Sequence, residues 1–175
     1  MAARARRVVR AALALAVWGT ACRGAFARPG RVRVWITYPP RDTVRFEAPA
    51  RARRCSGGRG GVLLQGANGV NGAAVWLRTP GALDSIASGP WPLLQRGDTV
   101  TPRGAIVAVR YTRGDFAHGA PLDSGGVRVT RAGRRITVVA RGSGFDPSGS
   151  GRLLAEATFD AVPLGADTIS CRFGL

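Results

Sequence analysis

From residue 31 onward, apolar and polar positions alternate with a period of two, the pattern of strands that bury one face. RVRVWITY (31–38) sends Val32, Val34, Ile36 and Tyr38 to one side and Arg31, Arg33, Trp35 and Thr37 to the other. Pro39-Pro40 ends that run, and TVRFE (43–47) follows as a partner strand. VLLQG (62–66) and AAVWL (73–77) flank GANGVNG, whose Asn-Gly steps mark a turn. AIVAVRYT (105–112) is a β-branched run with an aromatic residue. VRVT (127–130), RAGR and RITVVAR (135–141) predict a hairpin with Ile136, Val138 and Ala140 inward. RLLAEATFDAV (152–162) places Leu153, Ala155, Ala157, Phe159 and Ala161 on one side, and DTISCRF (167–173) turns Ile169, Cys171 and Phe173 inward.

No segment after residue 27 sustains a helical period, and GALDSIAS (81–88) has room for one helical turn at most. About eight or nine short strands punctuated by Gly, Pro and Asp turns imply an all-β fold. The expected architecture is a single antiparallel β-sandwich, or a flattened barrel, over residues 28–175.

The N-terminus has a different character. MAARARRVVR is cationic, and the apolar run AALALAVW after it is far short of the ~20 residues that span a bilayer. A basic start, a short apolar core and small residues describe a secretory signal peptide over residues 1–27. Ala25-Phe26-Ala27 is an A-x-A cleavage site. Gly19-Thr20-Ala21-Cys22 resembles a lipobox that would lipidate Cys22, with Gly19 where leucine is usual. Both routes lead to an exported protein: periplasmic, secreted, or held at the outer membrane by a lipid anchor. Either route removes Cys22 from the thiol pool. Cys55 and Cys171 remain, and in an oxidising compartment the economical expectation is a disulfide between them. No zinc spacing is present, and no metal or other cofactor is expected.

The chain carries 26 basic residues, all arginine, against ten acids, a net charge of +16. Five of the arginines (Arg4, Arg6, Arg7, Arg10 and Arg23) precede Ala27, and losing them lowers the balance to +11. Apart from RARR (51–54) and Arg134-Arg135, the arginines are spread along strands rather than gathered in one arm. Such a surface favours polyanions in general. Acidic glycans are the candidate partners, lipopolysaccharide or nucleic acid is a further polyanion reading, and no sequence-specific nucleic-acid role is expected.

Candidate chemistry is sparse. D-S-G-G (123–126) is the core of the chymotrypsin-type nucleophile motif, which would make Ser124 a nucleophile with His118, the only histidine, and Asp115 as its relay. Leu122 and Val127 stand where that motif has glycine and proline, and His118 falls on the same short loop. A turn feeding the next strand, with Gly125 and Gly126 supplying positive φ, accounts for the same residues. The glycine-rich run at 55–66 lacks the lysine a phosphate loop needs and leads into a strand, so it reads as a loop. Catalytic residues are therefore not assigned, and a non-enzymatic role is expected, with a serine hydrolase using Ser124 as the remote alternative.

The binding signal lies in the aromatic residues. Trp35 shares its face with Arg31 and Arg33, and these three residues are the candidate ligand-binding set, a stacking platform for a sugar or base. Trp76 has the same option beside Arg78. For both, the competing expectation is that a loop or a second sheet covers them. Trp91, in GPWP, is expected to be a loop residue anchored on the core.

VRVTRAGRRITVVARGSG and RLLAEATFDAVPL resemble the C-terminal part of uncharacterised bacterial envelope lipoprotein β-sandwich domains. In those domains a Ser-Gly turn leads a strand, a hairpin follows, and a later strand carries a phenylalanine, positions that Ser124-Gly125 and Phe159 take here. The resemblance spans residues 100–163 as pattern, and it implies a cell-envelope β-sandwich with a structural or ligand-binding role.

Overall fold

The computed structural model describes residues 29–40, 42–56, 60–80, 86–148 and 151–171. The proposed leader with Cys22, residues 81–85 of the expected helical turn, and Phe173 lie outside this set. The described chain is all-β, with ten strands and no helix. These are β1 (Gly30–Tyr38), β2 (Asp42–Ser56), β3 (Val62–Asn68), β4 (Asn71–Arg78) and β5 (Gly89–Pro92). There follow β6 (Gly104–Arg113), β7 (Phe116–Pro121), β8 (Ser124–Ala132), β9 (Arg135–Asp146) and β10 (Gly151–Ser170).

All ten strands join one sheet in the order β5-β8-β9-β10-β1-β2-β3-β4-β6-β7, and the sheet does not close into a barrel. Neighbours are antiparallel except where β10, beyond the end of β1, runs parallel to β2. The sheet folds over so that both halves bury their inward residues in one core. Val32, Ile36 and Phe159 from one half meet Leu64, Leu77 and Val107 from the other. Residues 121–124 carry the chain between the halves: Leu122 N donates to Val107 O on β6 at 2.9 Å, and Asp123 N donates to Ser143 O on β9 at 2.9 Å.

The alternation of β1 is as expected, with Val32, Val34, Ile36 and Tyr38 buried and Arg31, Arg33 and Trp35 exposed. Four details differ from the sequence expectation. GPWP forms the edge strand β5 rather than a loop, although Trp91 is anchored in the core as expected. Its prolines, which lack N–H groups, suit a strand paired on one side only. FAHGAP forms β7, although it is too poor in β-branched residues to announce a strand. DTIS is the far end of β10 rather than part of a separate strand, and Cys171 follows just beyond it. Within β10 the register slips between Phe159 and Val162, and Ala161 adopts φ 43°. That bulge moves Ala161 out of the core and puts Val162 in its place.

Cys55 and Cys171 form the expected disulfide, with Cα atoms 5.2 Å apart. The bridge pins the end of β10 over a second, smaller apolar cluster of Leu63, Trp76, Leu94 and Ile106 on the outside of β3, β4 and β6. Trp76 is thus covered, and its Nε1 donates to Gly60 O at 3.1 Å. Arg78 is buried as well. Its guanidinium donates to Asp98 Oδ1 at 3.1 Å and to the carbonyls of Asp98 and Thr101, which ties down the segment before β6.

Candidate functional site

The outer face of β2, β1, β10, β9 and β8 is built by cross-strand register. Trp35 on β1 lies between Arg45 of β2 and Glu156 of β10, and Glu156 in turn pairs with Arg141 of β9. One row further, Thr37, Leu154, Ser143 and Ser124 follow one another across β1, β10, β9 and β8. These two rows line a surface groove of about 650 Å³, bounded by Trp35, Leu154, Ser124, Ser143 and the Arg141–Glu156 pair. Trp35 is 50% exposed, so the expectation that a loop or sheet covers it is not met. Its strand lies in the middle of a solvent-facing layer, and the covering segments pack instead over Trp76.

Every charged group on this groove has a partner. The Arg45 guanidinium stacks over the Trp35 ring, 3.8 Å from its centroid, from the β2 side. Arg141 donates to Glu156 Oε1 at 3.0 Å. Arg152 pairs with Asp123 and donates from Nε to Ser143 Oγ at 2.9 Å. Ser124 and Ser143 share a hydroxyl–hydroxyl bond of 2.7 Å. The result is an aromatic wall beside a floor of fixed hydroxyls, and the two charged residues that line the groove, Arg141 and Glu156, pair with each other. Leu154 and Phe145, both more than half exposed, extend its apolar margin.

The sequence candidates are distributed unevenly. Trp35 and Ser124, drawn from unrelated arguments, meet in the one groove. Arg31 and Arg33 share the face but do not line it. Arg31 donates to Glu47 at 2.8 Å. The groove residues missed by the sequence reading are Arg141, Ser143 and Leu154, with Arg45 beside them stacked on Trp35. Alternation already turned Arg141 and Leu154 outward, but only the strand register tells which outward residues are neighbours.

His118 and Ser124 are not brought together. Ser124 stands on the outer face of β8, whereas His118 points into the interior from β7 and is buried. Its partner is Asp146, which the sequence reading did not identify, and not Asp115, which sits in the β6–β7 turn. Nδ1 of His118 donates to Asp146 Oδ2 at 2.8 Å, and the Tyr111 hydroxyl donates to the same oxygen at 2.9 Å. An ionised carboxylate only accepts, so the ring hydrogen resides on Nδ1. Tyr111 stacks between His118 and Tyr38, with centroids at 5.1 and 5.5 Å. Burial pushes the Asp146 carboxyl up, but hydrogen bonds from Ser148, Tyr111 and His118 outweigh it and bring it down to about 2. This cluster joins β6, β7 and β9 inside the fold. The DSGG segment is not a turn either. Ser124, Gly125 and Gly126 already pair with Ser143, Gly142 and Arg141 in the β8–β9 ladder.

Among the described residues, no three His, Cys, Asp or Glu side chains converge as a metal ion would require, and no helix is long and apolar enough to cross a membrane. Compared with protein-family models, curated proteins and solved structures, the chain shows no significant match.

Proposed function

We propose that this chain is an exported, non-enzymatic binding domain of the cell envelope that holds a carbohydrate against Trp35. The observation that carries this reading is the half-exposed indole. Arg45 holds it from one side, and on the other it opens onto a groove of paired hydroxyls. A sugar ring has an apolar face of C–H groups and a rim of hydroxyls. The first stacks on an indole, and the second needs donors and acceptors such as Ser124, Ser143 and the Arg141–Glu156 pair supply. Because those side chains are already held by one another, little ordering cost attends binding. Charge compensation within the groove favours a neutral saccharide there. Export is supported by the leader-like first 27 residues together with the Cys55–Cys171 bridge. The resemblance of residues 100–163 to envelope lipoprotein domains points the same way, and a lipid on Cys22 is one route to the outer membrane.

The test is a panel of neutral linear hexasaccharides (β-glucan, α-glucan and chitin fragments), followed by acrylamide quenching of tryptophan fluorescence and by calorimetry. Trp35 is the one exposed tryptophan among the described residues, so a bound sugar should shield it selectively. Trp35→Ala should weaken binding by about tenfold or more, the loss of one aromatic contact. A panel without a single binder, or affinity unchanged in Trp35→Ala, would overturn the reading.

A further inference from the structure

On the other half of the sheet, the outer face of β2, β3, β4 and β6 carries a second depression, of about 610 Å³, with a different chemistry. Its floor is made of small side chains, Ala74 and Ala108, reached across the row Arg51, Gln65, Ala74, Ala108. Its walls are Arg51 and Arg53 on one side and Arg110 on the other, and no acidic residue lines it. Arg51 and Arg53 make no ion pair or hydrogen bond among the described residues. Arg110 donates only to the backbone carbonyls of Val70 and Gly69, at 2.8 and 3.5 Å. The RARR run therefore does more than raise the net charge. Strand alternation aims Arg51 and Arg53 outward while Ala52 between them is buried in the core.

The geometry points to a second binding site here, for a linear anionic glycan bearing sulfate or carboxylate groups. Arg51 and Arg53 stand about 7 Å apart along β2, and Arg110 lies three strand spacings across and two residues along from Arg51, about 16 Å away. A chain with regularly spaced anions can meet all three while its backbone rests on the alanine floor. Unpaired guanidinium groups suit this role because their planar forks take sulfate or carboxylate oxygens two at a time. A glycan is favoured over single-stranded nucleic acid because no aromatic ring lines the trough, and bases need aromatic platforms. This site does not depend on the Trp35 groove, and its test uses a different probe.

The experiment measures binding of a fluorescent heparin octasaccharide to the exported protein across about 50–200 mM salt. Affinity should fall steeply with salt. The double variant Arg51→Ala/Arg53→Ala should bind about tenfold more weakly at low salt, with a salt slope reduced by roughly one per arginine removed. Arg33→Ala/Arg128→Ala removes equal charge from the outer face of the other half of the sheet and should leave affinity nearly unchanged, as should Trp35→Ala. Equal losses in the two double variants would reduce the effect to diffuse charge and overturn the site. So would an unchanged slope in the first variant, loss of heparin binding in Trp35→Ala, or tighter binding of an oligothymidine of matching length.

Discussion

Asp146 is fully buried yet ionised, and the cost of burying that charge is met by three converging donors, Ser148 N, Tyr111 Oη and His118 Nδ1. Asp146→Asn keeps the shape but sets an amide N–H₂ against groups that are themselves donors. We expect it to destabilise the fold by about 2–3 kcal/mol in urea denaturation. The pH dependence has a definite sign. The carboxyl lies at about 2 in the folded protein against an ordinary 3.8, so its contribution is fully present above pH 3.8 and is lost as pH falls through 2. The urea midpoint should therefore drop between pH 4 and pH 2, and less so in Asp146→Asn. Asp98 works in a similar way. The Thr101 hydroxyl and amide, then Arg78, hold its carboxyl well below the usual range. Single histidines and aspartates in a sequence carry no label for such partnerships, which is why His118 suggests a relay with Asp115 until the fold pairs it with Asp146.

Among the elements, the β8–β9 ladder shows what the DSGG segment is for. Gly125 has φ 124°, and a Cβ there would come within 2.1 Å of Arg141 O. Gly142, its partner on β9, is equally tight, since its Cβ would meet Ser124 O at 2.1 Å. The close approach of these two backbones sets Ser124 and Ser143 hydroxyl to hydroxyl at the end of the Trp35 groove. Gly125→Ala should cost about 2–3 kcal/mol through φ strain and contact with the β9 backbone. Gly126→Ala, with nothing within 4 Å, should stay within about 0.5 kcal/mol of the parent. Paired thermal melts of these neighbours are the check, and equal effects would refute the close-approach argument. The strands with strong alternation (β1, β8, β9 and the first half of β10) were legible in sequence. β5 and β7 were not, because Pro, Gly and Ala carry little strand signal and these two strands form only where a neighbour's edge is presented to them.

For the molecule as a whole, the disulfide closes nearly the full domain, joining cysteines at a sequence separation of 116. Cys55→Ala/Cys171→Ala should lower stability by on the order of 4–5 kcal/mol, measured by denaturant midpoint. The bridge holds the end of β10 over Leu63 and Trp76, so the same variant should also raise acrylamide quenching of Trp76 fluorescence. A variant that loses stability without exposing Trp76 would show that the second cluster is held by packing alone. The two edges of the sheet are also guarded. β5 carries Pro90 and Pro92, and the chain leaving β7 turns directly onto β9, so neither edge presents a long open ladder.

What the sequence by itself determined was local: the period of two, the inward and outward residues of most strands, the all-β class, and the pairing of Cys55 with Cys171. These follow from hydrophobic alternation and from the small number of available partners, both of which act over a few residues or by simple count. What only the tertiary structure decided was adjacency. Trp35 and Ser124 are 89 positions apart, and His118 lies between them in the chain, yet the first two line one groove and the third faces the core. Register and strand order set those neighbours, and they arise from how the whole sheet folds over its core rather than from any segment's own pattern. The same physics separated the arginines, matching Arg45 with the Trp35 indole and Arg141 with Glu156, and leaving Arg51 and Arg53 unmatched on the other half.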